Sequence, residues 1–224
     1  MNSEETMTAQ QLTRQRLRVT FARDATLKYI GHLDMARTWQ RILRRADLPL
    51  AYSEGFNPQP KITFAAALPV GCTSDHEVMD IVLSPTCDVD ELSERLQRAL
   101  PSGITLISIG EVELHAPALQ TQLTATEFAI VVEDGPIGDL ADRVQTFLSA
   151  TEVMRDRRGK SYDLRPLVQA ISIEREPDRI VIRSRLQSTE SGTGRPDELA
   201  SALGLDPNVV KIHRTKLIFL DKTP

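Results

Sequence analysis

The chain has 224 residues and a net charge of −4, with 41% apolar and 4% aromatic side chains. That length holds one large or two small domains, the apolar share is enough for real cores, and no apolar run reaches the length of a membrane span. Two cysteines, Cys72 and Cys87, exclude a disulfide framework.

In chain order, the polar and acidic start MNSEETMTAQQL reads as part of a loose tail over 1–15, not as a signal peptide, so a cytoplasmic protein is expected. Arg18 to Ala22 alternates as a strand. A helix ending at Ala46 follows, with Met35, Ala36, Trp39, Ile42, Leu43 and Ala46 on one face. Arg37, Arg41 and Arg44 fall opposite, with Arg45 at the edge of their stripe. His32 and Asp34 sit at its start, where an acid suits the helix dipole, and Asp47 and Pro49 end it. The polar face is either a solvated surface or a row that holds phosphate or carboxylate; four arginines and no lysine give the second reading its force.

The loop SEGFNPQPK comes next. Gly55 allows positive φ, Asn57-Pro58 favours a turn, and Pro58 and Pro60 stiffen the exit. Phe56 is expected to anchor into the core, the alternative being an exposed stacking platform. Ser53, Asn57 and Lys61 beside an arginine helix make a ligand lip. Leu50 to Tyr52, Lys61 to Leu68 and Glu77 to Leu83 read as extended, the last with Val78, Asp80 and Val82 opposite Met79, Ile81 and Leu83. Asp88 to Leu100 is a helix with Val89, Leu92, Leu96 and Ala99 inward, and Ile104 to Ile109 is a strand.

After a linker the pattern restarts. Glu127 to Val132 is a strand, Gly138 to Leu148 a helix, Leu167 to Ile173 and Arg179 to Leu186 strands, Pro196 to Leu203 a helix and Val209 to Leu220 a strand. The segment RDRRGK carries Arg157 and Arg158 before the turn that holds Arg165. Gly192, Gly194 and Arg195 precede the last helix; they form either a flexible phosphate-taking loop or a simple hairpin connection, and neither P-loop nor dinucleotide spacing is met. Arg179, Arg183 and Arg185 share one strand face, which is expected to be basic. The whole is an α+β chain of two tandem ferredoxin-like (β-α-β-β-α-β) halves with antiparallel sheets, over 16–114 and 125–222, joined by a linker at 115–124.

Charge is uneven. Ile62 to Met154 carries 15 acidic and three basic side chains, Lys28 to Lys61 six basic and three acidic, and Arg155 onward 14 basic and ten acidic. If the two basic segments converge they form a patch for a polyanion.

Several motifs stand together: His32-Leu33-Asp34, Arg44-Arg45-Ala46, the LPL-Y-S-GFNP-P pattern from Leu48 to Pro60, and LP-G--S--E from Leu68 to Glu77. Further on come GKSYDLRPLV (Gly159 to Val168), GRPDEL (Gly194 to Leu199) and HRTKL (His213 to Leu217). This set resembles the radical-SAM-linked domain family of uncharacterised bacterial proteins, which occur alone or fused behind a cobalamin-binding radical-SAM protein. The resemblance runs from about Arg16 to Leu220 and implies a radical-SAM partner encoded nearby or fused. Gly31 departs from it, since Ser is more usual there, and this weakens a hydroxyl cap.

Catalytic signals are sparse. No cysteine triplet with iron–sulfur spacing, no H-E-x-x-H and no paired CxxC is present, so neither a cofactor nor a metal site is expected. His32 with Asp34 is the best acid–base pair, although a helix-start role is as consistent. The leading expectation is an accessory module that binds RNA, either tRNA or rRNA, in support of a radical-SAM modification enzyme, without a membrane partner. Arg37, Arg41, Arg44, Arg45 and Lys61 would contact phosphates, with Arg157, Arg158 and Arg165 extending the surface. The alternatives are an enzyme for a small anionic substrate around His32, Asp34, Asn57 and Lys61, and a subunit whose acidic middle docks its partner.

Overall fold

The computed structural model describes residues 13–133 and 138–220. It is a mixed α+β protein in which antiparallel pairing dominates, with four α-helices among the described residues. The chain divides into two units, one made of residues to Val70 with His76–Gln120, the other of Gly71–Asp75 with Thr121 onward. The tail expected at 1–15 lies mostly outside the described residues, and Gln15 already begins a strand.

The first unit runs β1 (Gln15–Arg23), α1 (His32–Arg45), β2 (Ile62–Phe64), β3 (Thr73–Leu83), α2 (Val89–Ala99) and β4 (Ile104–Val112). Its strands lie in the order β4-β1-β3-β2, and β1–β4 and β2–β3 pair antiparallel. Period-3.6 spacing turns Met35, Trp39, Ile42 and Leu43 of α1 inward, where they meet Leu17, Val19 and Phe21 of β1 and Met79, Ile81 and Leu83 of β3. Trp39 is fully buried and edge-on to Phe21, ring centres 4.7 Å apart. Asp88 caps α2 by accepting from the amides of Asp90 (3.0 Å) and Glu91 (2.9 Å). At Gly31, the N-cap of α1, no side-chain cap exists, as the missing serine implies.

Arginines close the far ends of these two helices. Arg95 donates to the carbonyls of Ala46 (2.9 Å) and Asp47, and Arg45 donates to the carbonyl of Ala99. The last carbonyls of a helix have no partner within it, so each helix end borrows a guanidinium from the other. Asp47, at φ 54, takes the left-handed conformation that ends α1.

The second unit comprises β5 (Leu123–Val132), α3 (Leu140–Ser149), the hairpin β6 (Met154–Arg157) with β7 (Lys160–Asp163), β8 (Val168–Arg175), β9 (Ile180–Thr189), β10 (Gly192–Thr193), α4 (Pro196–Ala202) and β11 (Lys211–Phe219). Its main strands lie in the order β8-β9-β5-β11, each adjacent pair antiparallel. Phe128, Ile130, Val132, Ile180, Ile182 and Leu186 are buried, as are Leu140, Val144 and Phe147 of α3. The first residues of β3 belong here, since Thr73 and Ser74 pair parallel with His213 and Arg214 of β11. Two short elements are absent from the sequence expectation: the β6–β7 hairpin, turned by Arg158 (φ 49) and Gly159 (φ 75), and the small β10. Positive φ at both central residues gives the turn the twist a two-residue hairpin needs.

The strand expected over Lys61 to Leu68 shrinks to Ile62–Phe64. The basic face expected from Arg179, Arg183 and Arg185 is instead an ion-pair lattice. Arg185 meets Glu127 directly across the strands at 2.7 Å, Arg183 meets Glu174 at 2.7 Å, and Arg179 meets Glu176 at 2.6 Å. Opposite charges on facing strands are the favourable pairing, as for Arg185 and Glu127, which lie 58 positions apart, while Glu174 and Glu176 sit only nine and three positions from their arginines.

Candidate functional site

The segment between α1 and β2 builds a projecting loop. Ala51 donates its amide to Val82 O (2.8 Å), Lys61 to Ala51 O (2.8 Å) and Val82 to Lys61 O (3.1 Å), so both stems of the loop are tied to each other and to β3. Higher up, Ser53 N donates to Gln59 O (2.8 Å), Gln59 N to the Ser53 hydroxyl (2.9 Å), and Tyr52 bridges Pro60. Gln59 Nε2 donates to Asn57 Oδ1 at 3.3 Å. Gly55 has φ 118 with open space where a Cβ would stand, so backbone conformation rather than crowding calls for glycine. Phe56 at the tip is fully exposed, at 111% of its reference area. The core-anchor expectation for Phe56 is therefore corrected: a loop closed at both stems by its own hydrogen bonds holds the tip out in solvent.

Beside the loop lies an open groove of about 540 Å³. Met79 and Ile81 face the helices, so by strand alternation Asp80 and Val82 face away and form the floor. Ser53, Gln59, Lys61 and Thr63 line one wall; Leu114, Ala116, Ala118 and Gln120 line the other. Arg16 holds that second wall in place. Its Nε and Nη2 donate to Asp80 Oδ2 at 3.0 and 2.6 Å, its Nη1 to Ala116 O at 2.6 Å, and its Nη2 to Pro117 O at 3.1 Å. Arg18 adds two bonds to Asp80, at 2.9 and 3.1 Å. Sequence reasoning missed Arg16, Asp80, Gln59, Thr63 and Gln120. One signal was available, an aspartate within the apolar strand VMDIV, since a buried carboxylate requires partners.

The expected site residues separate into groups. Ser53 and Lys61 line the groove, and Gly55, Phe56 and Asn57 form the exposed loop tip. On α1, Arg41 and Arg44 are exposed, and no carboxylate partners them among the described residues. Arg37 pairs with Asp34 at 3.0 Å, both exposed. Arg45 leaves the row, because its guanidinium serves the end of α2.

His32 and Asp34 do not form a pair. Asp34 turns to Arg37, while the His32 ring lies edge-on to Phe64 at 5.5 Å, and Phe64 belongs to the core. Lys61 lines the groove on the opposite sheet face, so His32, Asp34, Asn57 and Lys61 share no pocket.

In the second unit, Arg158 is exposed at the hairpin turn and Arg157 is half-buried beside it. Arg165 is structural: it donates to Leu148 O (3.3 and 3.1 Å) and Val168 O (3.1 Å), with its guanidinium 5.7 Å from the Phe147 ring. Arg195 pairs with Asp197 at 2.9 Å within the start of α4, so it does not stand open to a phosphate there. His213 sits between the Thr73 hydroxyl (Nδ1, 2.7 Å) and Asp75 (Nε2, 2.9 Å), a carboxylate partner that its neighbours Arg214 and Lys216 conceal in sequence.

Both cysteines are free. Cys72 is buried, and burial pushes the Cys87 thiol up from its ordinary range. Among the described residues no group of three His, Cys, Asp or Glu side chains could hold a metal, and no helix is long and apolar enough to cross a membrane.

Residues 16–196 match a family of uncharacterised proteins conserved in bacteria, DUF2344, and the chain belongs to that family. No curated protein matches the sequence. Solved structures similar to the chain include a Cbf5-Nop10-Gar1 complex, at 11% identity over 94% of this chain and 50% of that one, with a TM-score of 0.48. An H/ACA RNP bound to a substrate RNA containing 2'-deoxyuridine matches at 12% identity over 95% and 49%, TM-score 0.45. The archaeal box H/ACA sRNP Nop10-Cbf5 complex matches at 12% identity over 92% and 49%, TM-score 0.44. The chain spans about half the length of each of these matched chains.

Proposed function

We propose that this chain is an accessory RNA-binding module, for tRNA or rRNA, that supports a radical-SAM modification enzyme in the cytoplasm. We read its architecture as two tandem ferredoxin-like halves; the strand orders β4-β1-β3-β2 and β11-β5-β9-β8, each with two helices, support that reading. The radical-SAM partnership rests on the family motifs from His32 to Leu217.

One observation carries the RNA reading. Most arginines of the described residues are held by carboxylates or backbone carbonyls, yet Arg41 and Arg44 stand in solvent on one helix face without an acidic partner. A guanidinium left open in this way suits phosphate, which it can grip with two parallel hydrogen bonds. Lys61 in the groove adds a further cation. The small-substrate reading is the weaker one, because Asp34 pairs with Arg37 and the His32 ring packs on Phe64 while Lys61 lines the groove.

The test is RNA affinity measured across roughly 50–200 mM salt. Binding should weaken steeply with salt, and the Arg41→Ala/Arg44→Ala double variant should reduce the log–log slope by about 1–2 for every RNA tried. Salt-independent binding, or a slope untouched by the double variant, overturns the proposal.

A further inference from the structure

We infer that the loop carrying Phe56, together with the adjacent groove, captures an unpaired base of a single-stranded RNA segment, Phe56 stacking on the base and Lys61 meeting a phosphate. This rests on the RNA reading and adds the kind of RNA that the site selects. Three observations bear on it.

The first is exposure without softness. Phe56 presents both ring faces to solvent, while its loop is closed by the Ser53–Gln59 hydrogen bonds and the Tyr52–Pro60 bridge. Pro58 and Pro60 fix φ on the descending side. A ring held out on a stiff loop loses little freedom on binding, which separates a built platform from an incidental surface side chain.

The second is the company it keeps. Phe56 is four residues from Pro60 of the groove wall, so their Cα atoms lie within about 14 Å. The groove offers a hydroxyl from Ser53, amides from Gln59 and Gln120, a hydroxyl from Thr63 and the Lys61 ammonium. Those groups match base edges, ribose hydroxyls and phosphate. Ile62, Val82, Leu114, Ala116 and Ala118 complete the lining with apolar surface, against which the flat face of a base can lie.

The third is geometry. A ring on a loop tip reaches a base that has left its helix, whereas bases stacked within a duplex offer it no face. The arginine face of α1 can hold phosphates of either form, so the two surfaces separate by substitution.

The experiment compares a short unstructured RNA and a fully paired RNA of equal length, with the intact protein, Phe56→Ala, Phe56→Trp and Arg41→Ala/Arg44→Ala. Loss of one stacking contact should weaken single-strand binding by about 5- to 150-fold in Phe56→Ala. Duplex binding should stay within about twofold, and Phe56→Trp should restore the single strand. A 2-aminopurine in the strand should be quenched by the intact protein and by Phe56→Trp but not by Phe56→Ala. If Phe56→Ala binds the single strand normally while the double arginine variant does not, the inference falls and the RNA reading stands. If the intact protein binds neither RNA, both fall. If Phe56→Ala releases a co-purifying protein without changing RNA binding, the ring belongs to a protein contact and the inference is overturned.

Discussion

Replacing Asp80 with Asn is the sharpest test of how the groove is built. Asp80 is 3% exposed and accepts four hydrogen bonds at 2.6–3.1 Å from Arg16 and Arg18. Removing one member of a buried ion pair costs about 3–5 kcal/mol, because the remaining charge is left without compensation. Here the loss is smaller: Arg16 keeps the carbonyls of Ala116 and Pro117, and the amide keeps one acceptor oxygen while turning an NH₂ toward two guanidiniums. A cost of about 2–4 kcal/mol follows. With a urea slope of about 1–3 kcal/mol per molar, the midpoint should drop by about 0.7–4 M. Trp39, the sole tryptophan, is buried in the same unit and reports the transition through its fluorescence. A drop below about 0.3 M would refute the claim that this pair holds the groove's second wall.

Gly31→Ser should stabilise the first unit. The N-cap backbone is extended (φ −71, ψ 167), a Cβ there meets nothing within 4 Å, and a serine hydroxyl would accept a free amide of the first turn of α1. A gain of about 0.3–0.5 kcal/mol should raise the Trp39-monitored midpoint slightly, and a lower midpoint contradicts the capping argument. Glu174→Gln addresses pH. The hydrogen bond from Arg183 is the main cause that holds the Glu174 carboxyl below its ordinary range, with the guanidinium charge adding to it and burial opposing. A carboxyl lowered in the folded state contributes stability that is present above the ordinary glutamate range and drains away as pH falls through the folded value. The variant should therefore unfold more readily at about pH 7, with the difference shrinking as pH falls below the ordinary glutamate range, measured by urea melts followed by circular dichroism; a difference that does not shrink in acid argues against the ion pair.

What the sequence revealed was whatever local periodicity encodes. The inward faces of α1 and α2 and the alternation of Val78 to Leu83 are written in spacing, and they appear as read. The β6–β7 hairpin stayed hidden because its strands carry mostly polar and charged residues with no apolar alternation. The arginines misled for a different reason. A charge on a helix or strand looks open until its partner is known, and the partners of Arg45 and Arg185 lie 54 and 58 positions away. Arg41 and Arg44 stay exposed, with no carboxylate partner among the described residues. Phe56 departed from expectation since hydrophobicity alone cannot tell a buried ring from one that a closed loop holds outward.

The divided loyalty of β3 governs how this chain can be cut. A fragment beginning at Thr121 would carry β11 but lack Thr73 and Ser74, its parallel neighbours, and His213 would lose both Thr73 and Asp75. A cut in the span 115–124, where the main stretch of the second unit begins at Thr121, therefore leaves that unit incomplete. Five of its residues, Gly71 to Asp75, are encoded upstream of the first unit's second stretch, so a faithful excision needs a circular rearrangement that carries them along.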